Sequence, residues 1–266
     1  MGKLFAVVVT VITLVSAGLI VAHVWWLPVN ASAIGQRIDS QMDETMLAVG
    51  VLFLSSQLIL AYFVWKFGDN KGERKIRYFP GGPVPLIAFA ILLVGIEILV
   101  LSFVGSRVWA AIYMTPPEPN ALQVDVAVEQ FAFYFRYPGP DGKFGAVHPE
   151  RARDGNGNYF GLDPANDVAA QDDIIVGTLT VPVSRPVYLT MHTKDMIHSF
   201  YVPELRIQQD IVPGLVMPFH FTPIRVGKYE IVCTQLCGLG HYSMRAFLEV
   251  LPQDQYDQWL KSQSGD

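Results

Sequence analysis

Residues 233–244 read CTQLCGLGHYSM. Both cysteines of the chain stand here, four residues apart, and a histidine and a methionine follow Cys237 at steps of four and seven. FHFTPIRVGKYEIVC (219–233) runs into this stretch and MRAFLEVL (244–251) leaves it, and both alternate with the period of two of a half-buried strand. The cluster is therefore a loop between strands. GTLTVPVSRPVYLTMHT (177–193) has the same alternation, and turn residues separate the runs. An all-β Greek-key barrel or sandwich is expected for residues 116–252. Within it, 138–173 is rich in Gly, Asp, Asn and Pro and reads as an insertion between strands. PQDQYDQWLKSQ reads as a short helix with Pro252 near its start, in a terminal segment 253–266.

Outward from this domain the composition changes. The 266-residue chain is 51% hydrophobic with mean hydropathy +0.32, too apolar for an ordinary soluble protein. The excess lies in three runs, at about 4–27, 46–66 and 84–106, each near the ~20 residues that cross a bilayer. Residues 1–30 are read as an amino-terminal membrane helix and 31–115 as a helical hairpin. The 66–80 loop holds Lys66, Lys71, Arg74, Lys75 and Arg77, whereas Arg37 in the preceding loop is offset by Asp39, Asp43 and Glu44. Positive residues stay on the cytoplasmic side, so 66–80 is cytoplasmic and everything after 106 is external. A second reading of the first run is a secretory signal with a cleavage triplet at Ala31-Ser32-Ala33, which would leave two membrane helices. Thr115–Asn120 is a stiff polar linker.

Cys233, Cys237, His241 and Met244 offer two thiolates, an imidazole and a thioether, a soft set that selects copper. Methionine discriminates, because zinc sites are built from Cys, His and carboxylate. Read alone, a Cys-x3-Cys pair outside the cytoplasm is equally a disulfide. One Cys, one His and a Met on one loop, completed by a distant histidine, describe a mononuclear blue-copper site. His198, in TKDMIHSFYVP, supplies that histidine, and Cys233 is then left to hold a second copper. His148, His192 and His220 are read as structural.

These residues resemble subunit II of the haem-copper cytochrome c oxidases. C-x-[EQ]-x-C-G-x-x-H-x-x-M matches 233–244, DMIHSFYVP matches a second block at 195–203, and Asp210, VPG at 212–214 and the QYDQWL tail fit others. The resemblance implies a membrane-anchored cupredoxin domain with a dinuclear CuA copper centre. Cys233 and Cys237 would bridge both coppers, His198 and His241 would each bind one, Met244 would be the weak ligand, and Gln235 would offer its carbonyl. It further implies electron uptake from cytochrome c or another periplasmic carrier. Delivery is to haem in subunit I, where O2 is reduced to water with proton translocation. The expected setting is a bacterial cytoplasmic membrane, with other oxidase subunits and membrane lipid as partners and no nucleic acid.

Three departures stand out. The commonest family pattern has glutamate at 235, reaching a magnesium ion shared with subunit I; Gln235 lacks the charge that suits a hard dication, which puts that site in question. The aromatic segment VEQFAFYFRYPG (128–139) holds Phe131 and Phe133 where the family has electron-accepting tryptophans. The family's proton-path glutamate is missing from RYFPGGPVPL (77–86), while Glu97 sits inside the third apolar run as a proton-path or intersubunit candidate.

From 116 to 266 the chain has 18 Asp and Glu against 11 Lys and Arg, a net of −7 that would steer in a basic carrier. Asp154-Gly-Asn156-Gly-Asn158 hints at a calcium loop, but no acidic residue follows at the twelfth position, so turn chemistry is expected. The apolar runs contain only His23, near an end, and no C-x-x-C-H is present. Oxygen reduction therefore belongs to another subunit. Competing functions are a CuA subunit of a nitric oxide reductase and a membrane-tethered mononuclear copper or zinc binder.

Overall fold

The computed structural model describes residues 1–68, 82, 84–152 and 157–264. Most of the basic 66–80 loop, and Asp154 and Asn156 of the calcium-like sequence, lie outside these residues. The chain divides into a helical unit, 1–27 with 39–108, and a second unit, 28–38 with 109–266.

In the helical unit α1 spans Gly2–Val21, α2 runs from Ala33 to Phe67 and α3 covers Val84–Tyr113. All three are long and apolar enough to cross a membrane. A helix satisfies every interior backbone group within itself, which hydrocarbon demands. The hydroxyls follow the same rule: Thr10 donates to the Ala6 carbonyl at 2.9 Å, Thr13 to Val9 at 2.8 Å and Ser55 to Val51 at 2.7 Å. At 35 residues α2 is longer than the apolar run that signals it, because its polar first turns precede that run. Its start is fixed by Ser32, whose Oγ accepts the Gly35 amide at 2.9 Å as a helix cap.

Residues 28–38 belong with the β unit, so the boundary drawn after residue 30 from hydropathy is shifted. Ala31 and Ser32 are fully buried there. Ser32 Oγ donates to the Leu205 carbonyl at 2.6 Å, the Ala31 amide to Glu204 at 2.7 Å and the Ile224 amide to Ala31 at 2.8 Å.

The β unit is a two-sheet sandwich of ten strands: β1 (Leu122–Glu129), β2 (Ala132–Tyr137), β3 (Ile174–Val176), β4 (Thr178–Pro182), β5 (Val187–Thr193), β6 (His198–Val202), β7 (Ile207–Ile211), β8 (Met217–Phe221), β9 (Gly227–Val232) and β10 (Arg245–Leu251). One sheet has the order β3-β2-β1-β5-β8 and the other β4-β10-β9-β6-β7, with β1–β5 and β4–β10 parallel and the other ladders antiparallel. Alternation builds the core: Val187, Leu189 and Met191 of β5 in one sheet and Leu248 and Val250 of β10 in the other turn into the sandwich interior. The long run at 177–193 splits into β4 and β5 at a turn where Ser184 takes φ 63°. Tyr137 is buried without polar cost, since its hydroxyl donates to the Thr180 carbonyl at 2.8 Å and accepts the Thr180 amide at 2.7 Å. Helix α4 (Gln253–Gln263) closes one end, with the Trp259 ring edge-on to Tyr137 at 5.2 Å.

Arg136 is a central anchor of the insertion. Arg136, 1% exposed, donates to the Gly145 carbonyl at 2.9 Å and to Asp173 at 3.0 Å, pairs with Asp125, and lies over the rings of Phe144 and Phe160 at 4.8 and 5.0 Å. The planar guanidinium fork serves two carboxylates and a carbonyl at once. It ties the described part of the insertion to the outer face of the first sheet.

Candidate metal centre

Strand register assembles the cluster. In the β9–β10 hairpin Val232 pairs with Arg245, so the residues just inside the loop, Cys233 and Met244, meet, and the Cys233 amide donates to the Met244 carbonyl at 3.3 Å. A single-turn 3₁₀ helix at His241–Ser243 turns the loop back toward β10. β6 lies beside β9 and begins at His198, which brings that histidine to the same end of the sheet.

The donor atoms converge. Cys233 Sγ lies 3.8 Å from Cys237 Sγ and 3.9 Å from His198 Nδ1, and Cys237 Sγ lies 3.6 Å from both His241 Nδ1 and Met244 Sδ. The Gln235 carbonyl is 3.2 Å from Cys233 Sγ. A disulfide has sulfurs about 2.05 Å apart, so the cysteines are unbonded thiols and the disulfide reading does not hold here. His198, Cys233, Cys237 and Met244 are buried and His241 is half-buried. Burial, with the neighbouring Cys233, pushes the Cys237 thiol up to about 11. A thiol held protonated in this way gives up its proton only to a cation that replaces it, as soft metals do. Two sulfurs, two imidazole nitrogens, a thioether and a carbonyl within such a small volume fit copper.

The surroundings orient the donors. His198 Nε2 is 2.8 Å from Asp195 Oδ1, which turns Nδ1 toward Cys233. Asp195 also accepts from the Thr193 hydroxyl at 3.0 Å and from the amides of Met196 and Gln130 at 2.7 Å. Burial raises the Asp195 carboxyl, but these donors outweigh it and hold the group below the usual carboxylate range. Gln130 reaches the loop directly, its side-chain amide donating to the Cys237 carbonyl at 2.5 Å. Neither Asp195 nor Gln130 is signalled by ligand spacing, because each acts through a contact far away in sequence or through another side chain.

The predicted residues separate. Phe131, 38% exposed, lies against the metal loop: a Cβ on Gly240 would meet its ring at 2.5 Å, and one on Gly238 would meet Gln130 at 2.7 Å. Phe133 is 3% exposed and packs edge-on to Phe200 in the core. The Gln235 side chain donates to Asp210 Oδ2 at 2.8 Å. Glu97 belongs to the helical unit, where it lines a cavity of about 380 Å3 with Gln41, Glu44 and Thr45. Leu236, Leu239 and Tyr242, between the candidate ligands, project outward, each more than four-fifths exposed.

Residues 167–251 match the family model for "Cytochrome C oxidase subunit II, periplasmic domain". Along nearly its whole length, 96%, the chain is 32% identical to the alternative cytochrome c oxidase subunit 2 of Bradyrhizobium diazoefficiens, covering 91% of that protein. The chain belongs to the cytochrome c oxidase subunit II family. Another member, cytochrome c oxidase subunit 2 of Synechocystis, is 27% identical, with 88% of this chain and 74% of that protein aligned. The solved periplasmic domain of subunit II of cytochrome oxidase from Bradyrhizobium japonicum superposes with a TM-score of 0.41 at 20% identity, over 56% of this chain and 98% of that one. As subunit II of a haem-copper oxidase, the chain is part of an oxidoreductase complex and works with the other oxidase subunits. Its three apolar helices are the subunit's membrane anchor and its β unit the CuA domain.

Proposed function

We propose that this subunit takes electrons from cytochrome c or a similar periplasmic carrier at a dinuclear copper site and passes them to haem in subunit I, where O2 is reduced to water with proton translocation. The convergence of Cys233, Cys237, His198, His241 and Met244 at one end of the second sheet carries this reading. Cys233 and Cys237 would bridge two ions, His198 and His241 would each hold one, and Met244 and the Gln235 carbonyl would complete the set. When bound, the copper pair supplies reversible one-electron chemistry.

The protein's part is to keep the donors still. Five of the six donors stand on one hairpin loop whose ends are tied by backbone pairing, and the sixth begins the adjacent strand. Asp195 fixes the His198 ring, and Gln130 and Phe131 brace the loop from the β1–β2 turn. A site so restrained reorganises little when its charge changes, and that favours transfer of an electron over chemistry on a substrate.

Phe131, part-exposed and touching the loop, is the better placed of the two phenylalanines to meet a donor; Phe133, enclosed in the core, is a packing residue. The net charge of −7 over 116–266 supports a basic carrier. Gln235 paired to Asp210 leaves no magnesium site proposed on this chain. Intact oxidase carrying Cys237→Ser tests the reading. Uptake of O2 driven by reduced cytochrome c should be lost while the haem of subunit I remains, and undiminished uptake would refute it.

A further inference from the structure

A cavity of about 340 Å3 lies on the outer face of the first sheet, beneath the described part of the 138–173 insertion. The sheet explains its shape. Along β5 Leu189 and Met191 point into the core, so Thr190 and His192 point the other way. Register sets Asp125 beside Thr190 and Ala127 beside His192, while Arg136 and Tyr134 of β2 flank the same two residues of β1. Ala127, with only a methyl group, becomes the floor, and Tyr134 and His192 stand on either side. The insertion closes over them: Tyr159 stacks on Tyr134 at 3.4 Å, and Phe160 sets its ring edge against His192 at 5.5 Å.

The polar groups of this cavity fall into two classes. The charged ones are matched, Asp125 by Arg136 and Glu129 by Lys194. The hydroxyls of Tyr134 and Thr193 are matched too, by Glu129 at 3.3 Å and Asp195 at 3.0 Å, but among the described residues no hydrogen bond reaches the ring of His192 or the hydroxyl of Thr190. Burial holds His192 below its ordinary value, so at neutral pH it presents one N–H and one bare nitrogen. A half-enclosed imidazole without a protein partner is open to the polar group of a ligand.

We propose that this cavity binds a neutral aromatic molecule of one or two rings that carries a hydroxyl or carbonyl group. The ring lies against Tyr134, Tyr159 and Phe160, and the polar group bonds His192 and Thr190. The volume is at the lower end of small-molecule sites, which sets the size. Apolar walls with every ion already matched exclude a charged ligand, because its desolvation would go uncompensated. Nothing in this assignment depends on copper, so it stands or falls separately from the electron relay.

Equilibrium dialysis of 2-naphthol against the intact oxidase in lipid nanodiscs tests it, with empty nanodiscs measuring partition into lipid. One saturable naphthol per chain is expected. Val216→Trp, at an exposed position on the rim, should abolish saturable binding. His192→Leu should weaken it about tenfold, the weight of one hydrogen bond. Absence of a saturable component, saturable binding unchanged in Val216→Trp, or equal binding of 2-naphthalenesulfonate would overturn the proposal. Should His192→Leu fail to fold, Val216→Trp and the sulfonate decide.

Discussion

Replacing Gly240 with alanine isolates the contact between Phe131 and the metal loop. Gly240 has φ −91°, a conformation that any residue adopts, so the added methyl brings no backbone penalty. What it meets is the Phe131 ring, at 2.5 Å and 2.6 Å from two ring carbons, where ordinary contact begins near 3.4 Å. The ring or the loop must therefore shift by about 1 Å, and overpacking of this kind costs about 1–3 kcal/mol. For a unit of this size that lowers the melting temperature by about 2–4 °C per kcal/mol. Phe131→Ala by itself removes a part-exposed ring and should cost less than a core phenylalanine. In the double variant the methyl finds space, so the two effects should fail to add by at least about 1 kcal/mol. Thermal unfolding of the intact chain, parent and three variants, measures this cycle. Additive losses would refute the placement of Phe131 on the loop, and with it the argument for Phe131 as the donor-facing ring.

Other consequences follow from the same geometry. Arg136→Met leaves Asp173, whose side chain is fully buried, without its cation, and should cost about 3–5 kcal/mol in denaturant unfolding; Arg136→Lys should recover only part, lacking the fork. Asp195→Asn should loosen copper about 10–100-fold in chelator competition, since an amide turns a donor toward groups that are themselves donors. Burial lowers the His192 pKa, so the unfolded chain takes up that proton first as pH falls below the ordinary 6.5. Parent stability should therefore drop below about pH 6.5 more steeply than that of His192→Leu, and parallel curves would count against a buried neutral His192.

The convergence of the candidate donors was legible because five of the six lie on one loop, where spacing survives as a local signal. His198 was legible through its motif and its place at a strand start. What escaped is contact between elements distant in sequence. Nothing in FAFYF says that its first ring rests on Gly240 while the second turns into the core: the two have the same strand parity, and they part only because Phe131 stands in the β1–β2 turn, before β2 begins at Ala132. Gly- and Asp-rich composition marks 138–173 as an insertion but conceals its anchor, because Arg136 stands in the strand before it. Ala31-Ser32-Ala33 shows the same ambiguity from another side. Small residues suit a cleavage site, but here they suit close packing: Ala31 is enclosed by 203–224, and Ser32 caps α2 while bonding Leu205. Hydropathy placed the second helix at 46 because the polar turns from Ala33 onward carry no apolar signal.

Copper per chain, determined on the intact purified oxidase subunit together with its electron paramagnetic resonance spectrum, tests the relay most directly. Two coppers with one unpaired electron shared between them, reduced to a single copper by Cys233→Ser, is the predicted result. One copper in the parent chain, or zinc with no signal, would contradict it.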